Sequence, residues 1–159
     1  MQIMTYDSLS PIQQKLVDEA AKVMEEAYNP YSHFFVGAAL LAKTGEIITG
    51  ANVENAAYGS SICAERSALL RANAMGIRQF KSLAIIVRGE SFNVEEPSAS
   101  CGSCRQMINE AAHLSEQNIE MILSNTQKTK IIVTSIEELL PMAFGPKDLN
   151  IDLTKYKKK

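Results

Sequence analysis

The sequence predicts a three-layer α-β-α sandwich of the α/β class, in which helices cover both faces of a mixed five-stranded sheet. Two patterns carry this prediction. Apolar runs typical of strands alternate with segments of helical periodicity. The run at 82–87 is apolar at every position after Ser82, as in a strand buried on both faces. The length of 159 residues fits one core, so we assign residues 1–159 to a single domain.

The chain begins with a helix followed by two strands. Ser10 caps the helix, and Pro11 occupies its first position, where a missing N–H costs no hydrogen bond. The helix is expected to end before Asn29-Pro30, because a residue that precedes proline disfavours helical backbone. Strands are predicted at 34–41 and 47–53, joined by a turn that contains glycine.

The middle of the chain alternates helix, strand and helix. A stripe of small apolar residues predicts a helix at 63–74, and Gly76 follows its end. The buried strand at 82–87 comes next. Residues 97–100 form a loop, and helical periodicity resumes at 104–114.

The last part of the chain adds two strands and a helix. Short apolar segments predict strands at 120–124 and 130–134. Ser135 caps a final helix at 136–144, whose first turn carries two glutamates where the helix dipole favours them. The predicted order is therefore α-β-β-α-β-α-β-β-α, which interleaves helices with strands as layered α/β domains do.

The composition excludes several classes of function. Sixteen basic and eighteen acidic residues leave a net charge of −2, so the protein is not built to bind nucleic acid or another polyanion. The longest nearly apolar run, at 34–42, is far shorter than the ~18 residues that a membrane span needs, and the N-terminus lacks the features of a signal peptide. We therefore expect a cytoplasmic protein with no membrane contact, whose lysine-rich end at 155–159 is a solvated tail.

Three cysteines raise the central question, since so small and odd a number does not make a disulfide framework. Cys101 and Cys104 form a C-x-x-C motif, which alone fits a redox or a metal site equally well. Cys63 and this motif each follow a loop and begin a predicted helix, where the positive end of the helix dipole favours thiolates. Three thiolates match a catalytic zinc site, because structural zinc usually has four protein ligands.

The two histidines differ as candidates for a fourth ligand. His113 lies roughly 13 Å along its helix from Cys104, which is too far to complete the site. His33 lies in a loop before the first strand, and geometry does not exclude it.

Glu65 follows Cys63 by two residues, less than one helical turn away. A carboxylate there can reach water at the open position of a metal site and act as a general acid and base. The alternative is an acidic first-turn residue that only stabilises the helix N-terminus. The position of Glu65 between candidate ligands favours a site that activates water.

Five segments, spread in order over about residues 10 to 150, match one family. They are PYSHFFVGAAL at 30–40, NVENA at 52–56, CAER at 63–66, CGSCRQ at 101–106 and ELLPMAF at 138–144. They resemble the zinc-dependent deaminase superfamily, specifically the short, three-cysteine cytidine deaminases. Two positions depart from the family pattern, since Ser100 and Phe35 stand where prolines are usual. We expect the first to loosen its loop and the second to alter packing at the substrate cavity.

The resemblance implies a cytidine deaminase-like fold and a hydrolase of pyrimidine salvage. The reaction converts cytidine and 2′-deoxycytidine to uridine and 2′-deoxyuridine and releases ammonia. The resemblance also implies that Cys63, Cys101 and Cys104 bind one zinc ion per subunit. By the same resemblance Glu65 moves protons between water and the pyrimidine. Three thiolates and Zn²⁺ would leave the site with a charge of −1, so we expect the guanidinium of Arg66 to offset that charge and tune the zinc.

The resemblance further implies the substrate contacts. Asn52 and Glu54 would hold the ribose hydroxyls, the backbone of Ala64 would contact the base, and Phe34 would form an aromatic wall. The family forms homotetramers with active sites at subunit interfaces, so Phe144 would stack on the base bound in an adjacent subunit.

Four alternatives stay open at this point. The first is a deaminase of another aminopyrimidine nucleoside, including the antibiotic blasticidin S. The second is a deaminase that edits polynucleotides, which the net charge disfavours. The third is a structural zinc module with His33 as its fourth ligand, and the fourth is a redox C-x-x-C protein, which leaves Cys63 and Glu65 unexplained.

Overall fold

The computed structural model describes residues 1–157 and contains one mixed six-stranded sheet. The strands are β1 (Gln2–Met4), β2 (Phe34–Ala42), β3 (Ile47–Ala51), β4 (Phe80–Gly89), β5 (Glu120–Ser124) and β6 (Ile131–Ser135). They follow the order β1-β6-β5-β4-β2-β3 across the sheet, and only β4 and β5 run parallel.

The helices are α1 (Pro11–Met24), α2 (Ala64–Ala74), α3 (Gly102–Ser115) and α4 (Ile136–Leu139). Helix α3 connects the parallel strands β4 and β5, which a short hairpin could not join. In the part of the chain that the structure describes, no helix is long and apolar enough to cross a membrane.

Alternation along β2 creates two cores, one on each face of the sheet. Ala38 and Leu40 pack in the cluster that contains α2 and α3, whereas Ala39 and Leu41 pack in the cluster that contains α1. Successive side chains of a strand point to opposite faces, so one strand serves both clusters. The predicted α/β fold with three layers is confirmed.

The sheet has a sixth strand that the sequence prediction missed, so the prediction of five strands was wrong. β1 pairs with β6 in antiparallel register, with Ile3 opposite Ile132. The strand has three residues, lies at the edge of the sheet, and leaves Ile3 71% exposed. So short a segment with little burial carries no readable alternation.

Two helices end earlier than predicted. α1 stops at Met24, because Tyr28 instead pairs with the extension of β3 and donates its N–H to the Asn52 carbonyl at 3.0 Å. α4 stops at Leu139, because the residue before Pro141 disfavours helical backbone.

Two glycines allow the helices to approach the sheet closely. A Cβ on Gly37 would lie 1.9 Å from the carbonyl oxygen of Ala20 in α1, and a Cβ on Gly50 would lie 2.4 Å from the amide nitrogen of Ala68 in α2. No neighbouring backbone could move far enough to relieve such contacts. These glycines therefore set the depth at which α1 and α2 sit on the sheet.

Lys155 and Tyr156, in the predicted solvated tail, are exposed as expected, but the tail also contacts the rest of the protein. Arg78 donates to the carbonyl of Tyr156 at 3.0 Å, and the ammonium of Lys157 lies 2.6 Å from the carboxylate of Glu116. The last two lysines of the predicted tail lie outside the described residues.

Candidate metal centre and substrate cavity

Two helix N-termini bring the three cysteines together. Cys63 is the N-cap of α2, Cys101 is the N-cap of α3, and Cys104 lies in the first turn of α3. Their sulfur atoms all lie within 4.8 Å of one another, and the Cys101 and Cys104 sulfurs are 3.4 Å apart. The loop-to-helix pattern of the sequence thus placed all three thiols correctly.

The donor set fits zinc. Sulfurs that each bind a tetrahedral zinc at ~2.3 Å are about 3.8 Å apart, close to the separations observed here. The 3.4 Å distance between Cys101 and Cys104 far exceeds a disulfide bond of about 2.05 Å. Within residues 1–157 neither histidine belongs to this cluster, and Nδ1 of His33 instead lies 3.5 Å from the Glu90 carboxylate.

The protons of the thiols are unequally shared. A hydrogen bond with Cys104 lowers the pKa of Cys63 to about 6 despite partial burial, and the nearby charge of Arg66 acts in the same direction. The same hydrogen bond, together with burial, raises the pKa of Cys104. Metal binding requires deprotonated thiols, so a zinc ion would displace the proton from Cys104.

Arg66 carries an unused donor next to the thiols. One of its terminal nitrogens donates to the carbonyl of Ser61 at 2.8 Å. Its Nε is buried and has no hydrogen-bond partner among the described residues. A buried guanidinium N–H without an acceptor is costly, and a charged thiolate is the kind of acceptor that would satisfy it.

A cavity of about 320 Å³ opens beside the cysteines. The predicted site residues that line it are Phe34, Asn52, Glu54, Cys63, Glu65 and Cys101. Glu65 is only 4% exposed although it is acidic. Buried carboxylates are rare without a partner or a function, and this one lies in the first turn of α2 beside a candidate metal ligand.

Asn52 uses much of its amide inside the protein. Its Oδ1 accepts from the Val36 N–H at 2.9 Å, and its Nδ2 donates to the Phe34 carbonyl at 2.9 Å. These two bonds fix which end of the amide is which and tie the start of β2 to the end of β3. One N–H of Nδ2 remains for another acceptor.

Glu54 is held from one side only. Its Oε2 accepts from the backbone N–H groups of Tyr31 and Ser32 at 2.9 and 3.1 Å. Burial alone would raise the pKa of Glu54, but the hydrogen bonds from Ser32 and Tyr31 outweigh it and lower the pKa below its ordinary range. The group is therefore an ionised acceptor at neutral pH.

Two predicted substrate residues do not line the cavity. Ala64 is fully buried at the start of α2, where backbone N–H groups lack intrahelical partners. Phe144 is 60% exposed, and its carbonyl accepts from the side chain of Gln106 at 2.9 Å.

The cavity also contains residues that the sequence prediction missed. Ile85 and Val87 of β4 provide apolar surface, and Ser98 and Ala99 form a wall just before Cys101. For Ser98 and Ala99, proximity to Cys101 in the chain was the one available signal, since loop residues show no periodicity.

Phe35 lies on the opposite face of the sheet from the cavity, so the expectation that it alters the packing there was wrong. It packs against the cluster that contains α1. The guanidinium of Arg88 lies 3.7 Å from the centre of its ring and also pairs with Glu25 at 2.7 Å. Strand alternation explains the placement, because Phe34 takes the cavity side.

Comparison with known proteins agrees with this geometry. Residues 10–119 match the family model described as the cytidine and deoxycytidylate deaminase zinc-binding region. The chain is 44% identical to the cytidine deaminase of Sporosarcina psychrophila over 137 residues, which are 86% of this chain and 94% of that one. It is 42% identical to the enzyme of Halalkalibacterium halodurans over 86% of this chain and 97% of that one.

Solved structures show the same fold. The crystal structure of cytidine deaminase from Burkholderia pseudomallei aligns with a TM-score of 0.74 and 40% identity, over 86% of this chain and all of that one. The enzyme from Mycobacterium tuberculosis aligns with a TM-score of 0.66 and 31% identity, over 82% and 95% of the two chains.

Proposed function

The chain belongs to the cytidine and deoxycytidylate deaminase zinc-binding family, and on that premise we propose that it hydrolyses cytidine to uridine with release of ammonia. One observation carries the proposal. The cavity is lined by a buried carboxylate, Glu65, next to a cluster of three thiols that fits zinc.

The chemistry divides between the ion and the carboxylate. Cys63, Cys101 and Cys104 would hold zinc, and the bound ion would supply the Lewis acidity that brings the pKa of water near neutrality. Glu65 takes a proton from water and delivers it to N3 of the base, and the oxygen of that water adds at C4. Glu65 then passes the remaining proton of the water, now on the oxygen at C4, to the leaving amino group. Water and cytidine thus become uridine and ammonia.

A charge-neutral substitution tests the role of Glu65. We expect Glu65→Gln to bind one zinc per chain and to fold, yet to lose about 10²–10⁴-fold in kcat, because general acid–base catalysis contributes that much. Glu90→Gln is a matched control, since Glu90 is exposed and pairs with His33 outside the cavity lining. Near-normal kcat in a fully zinc-loaded Glu65→Gln enzyme would overturn the mechanism.

Glu54 and Asn52 together bind a hydroxyl of the sugar, one as hydrogen-bond acceptor and the other as donor. A hydroxyl both donates and accepts, so it can donate to the free oxygen of Glu54 and accept from the remaining N–H of Asn52. If one hydroxyl contact serves cytidine and 2′-deoxycytidine alike, as we propose, that hydroxyl is one that both sugars carry, at the 3′ or 5′ position. Equal loss of affinity for both nucleosides in Glu54→Gln would support this assignment.

The base lies against apolar and backbone groups. Phe34 lines the cavity with Ile85 and Val87, which suits the faces of a pyrimidine. We assign recognition of the base edge to the backbone of Ala64, because the first N–H groups of a helix have no intrahelical acceptor.

The charge of the cavity favours a nucleoside over a nucleotide. Within residues 1–157, no lysine or arginine lines the cavity, and its charged residues are Glu54 and Glu65. A phosphate would meet like charge there without a cation to pair with. We therefore expect far lower kcat/KM for deoxycytidine 5′-monophosphate than for deoxycytidine.

We also propose a homotetramer in which Phe144 completes the active site of an adjacent subunit. The exposed apolar side chains of Met142 and Phe144 support it, because neighbouring solvent-facing apolar groups mark contact surfaces. A fully active monomer in solution would refute this assembly.

A cytoplasmic location and a role in pyrimidine salvage belong to the same proposal, since reduced thiols are needed to bind the metal.

A further inference from the structure

One wall of the cavity comes from a loop without regular structure. Ser98 and Ala99 line the cavity and belong to the segment that connects β4 to α3. No ladder of backbone hydrogen bonds fixes such a loop, yet a substrate needs its contacts in defined places. Other parts of the protein must therefore anchor the wall.

The first anchor is Thr126, two residues after the end of β5. Its hydroxyl donates to the Val87 carbonyl at 2.6 Å and accepts from the Val94 N–H at 2.8 Å. Its own N–H donates to the Val94 carbonyl at 3.1 Å. The parallel ladder between β4 and β5 ends at Ile86 and Ser124, so this hydroxyl serves a strand carbonyl that lies just beyond the ladder.

Asn125 holds the next residue of the loop. It is 3% exposed, and its Nδ2 donates to the Glu95 carbonyl at 3.0 Å and to the Thr129 hydroxyl at 2.8 Å. Its Oδ1 accepts from the Lys130 N–H at 3.1 Å, which fixes the orientation of the amide. Lys130 also pairs with Glu96, but exposed ion pairs contribute little.

The other end of the loop is anchored by Arg105. Its Nε donates to the Ser100 carbonyl at 2.7 Å, and its Nη1 donates to the Leu139 carbonyl at 2.8 Å. Ser100 is buried and held in place, although a loosened loop was expected from the missing proline. Residues 96–99 therefore span only four positions between two fixed points, Glu95 and Ser100.

We propose that Thr126 and Asn125 are positioning residues for this wall, so that the turn after β5 sets where Ser98 and Ala99 meet the substrate. The inference rests on the proposed function for its kinetic consequence. Its geometric basis is independent of that function, because the bonds join the turn after β5 to the loop whatever the cavity binds. Neither residue lines the cavity, so both act through the loop.

Paired substitutions at two threonines test the proposal. Thr126→Val keeps the shape of the side chain but leaves the Val87 carbonyl and the Val94 N–H without their partner. Thr126→Ser retains the hydroxyl. Thr44→Val makes the same chemical change in the turn between β2 and β3, where the hydroxyl donates to Glu46 at 2.6 Å, and it touches neither the loop nor the cavity. If Thr126→Val does not fold, the smaller Thr126→Ala replaces it.

The kinetic readout is the division between KM and kcat. In zinc-loaded enzyme we expect Thr126→Val to raise KM for cytidine about 5- to 20-fold with less than about a threefold change in kcat, because the wall binds substrate without taking part in proton transfer. Thr126→Ser and Thr44→Val should stay within about twofold of the wild type. Equal KM values in Thr126→Val and Thr44→Val would overturn the proposal.

Hydrogen exchange separates this proposal from the proposed function. In Thr126→Val the amides of residues 94–100, apart from Pro97, should exchange at least about tenfold faster than in Thr44→Val, since local opening controls exchange. This difference would persist even if the wild type failed to convert cytidine, which would refute the proposed function alone. A lower melting temperature with unchanged exchange at 94–100 would reduce Thr126 to a general structural role and refute the positioning.

Discussion

Asn52 links the stability of the sheet to recognition of the sugar, so Asn52→Ala should change both. The side chain is 9% exposed and makes two bonds of 2.9 Å to the backbone of Phe34 and Val36. Each hydrogen bond is worth about 1 kcal/mol, and a buried group left unsatisfied costs about 1–3 kcal/mol. We expect the free energy of unfolding to fall by about 2–4 kcal/mol.

Urea unfolding followed by circular dichroism measures this loss, at one fixed protein concentration because assembly shifts apparent stability. Asn73→Ala is the control, since Asn73 is exposed on α2 and should change stability by less than about 0.5 kcal/mol. In the same variant of Asn52, KM for cytidine should rise about tenfold, as loss of about 1.4 kcal/mol of binding predicts. If Asn52→Ala and Asn73→Ala had the same free energy of unfolding within error, the hydrogen bonds assigned to Asn52 would be refuted.

Three further predictions follow from local geometry and charge. Gly37→Ala should cost about 3 kcal/mol or more, or prevent folding, because the new Cβ would meet the Ala20 carbonyl; a wild-type melting temperature would contradict this. A hydrogen bond from Arg88 lowers the pKa of Glu25, so the pair stabilises the protein above pH ~4.5 and this contribution fades as pH falls through the lowered pKa. Glu25→Gln should therefore have a slightly lower melting temperature than the wild type at pH 7, equivalent to no more than about 1 kcal/mol for so exposed a pair. This difference should shrink as the pH falls below ~4.5, and a gap that does not shrink would count against the ion pair. Arg66→Gln should release zinc to a chelator faster and shift the pH dependence of kcat, whereas an unchanged profile at full zinc loading would show that Arg66 does not tune the metal.

The sequence predicts most of the fold because its signals are local. β5 has its predicted bounds of 120–124, and α2 begins one residue after Cys63. Both are marked by apolar periodicity and by the loop that precedes them. β1 escapes prediction because its three residues gain their order from pairing with β6, more than 120 residues away in the chain.

The candidate site likewise contains residues that could be placed from local sequence signals and contacts that could not. The cysteines and Glu65 could be placed from sequence, since all four lie in the first turn or at the cap of a helix. The internal bonds of Asn52 could not, because they join residues 16 and 18 positions apart across two strands. The anchoring of the loop by Thr126 depends likewise on where β4 and β5 stop pairing, which no periodicity reveals.

The zinc dependence of cytidine hydrolysis tests the central claim most directly. The protein is stripped with a chelator, assayed by the loss of cytidine absorbance, and assayed again as zinc is added back against a measured metal content. We predict no uridine formation in the stripped protein and full recovery at one zinc per chain, with one ammonia released per uridine. Turnover that persists without metal, or zinc-loaded protein that forms no uridine from cytidine, would contradict the assignment.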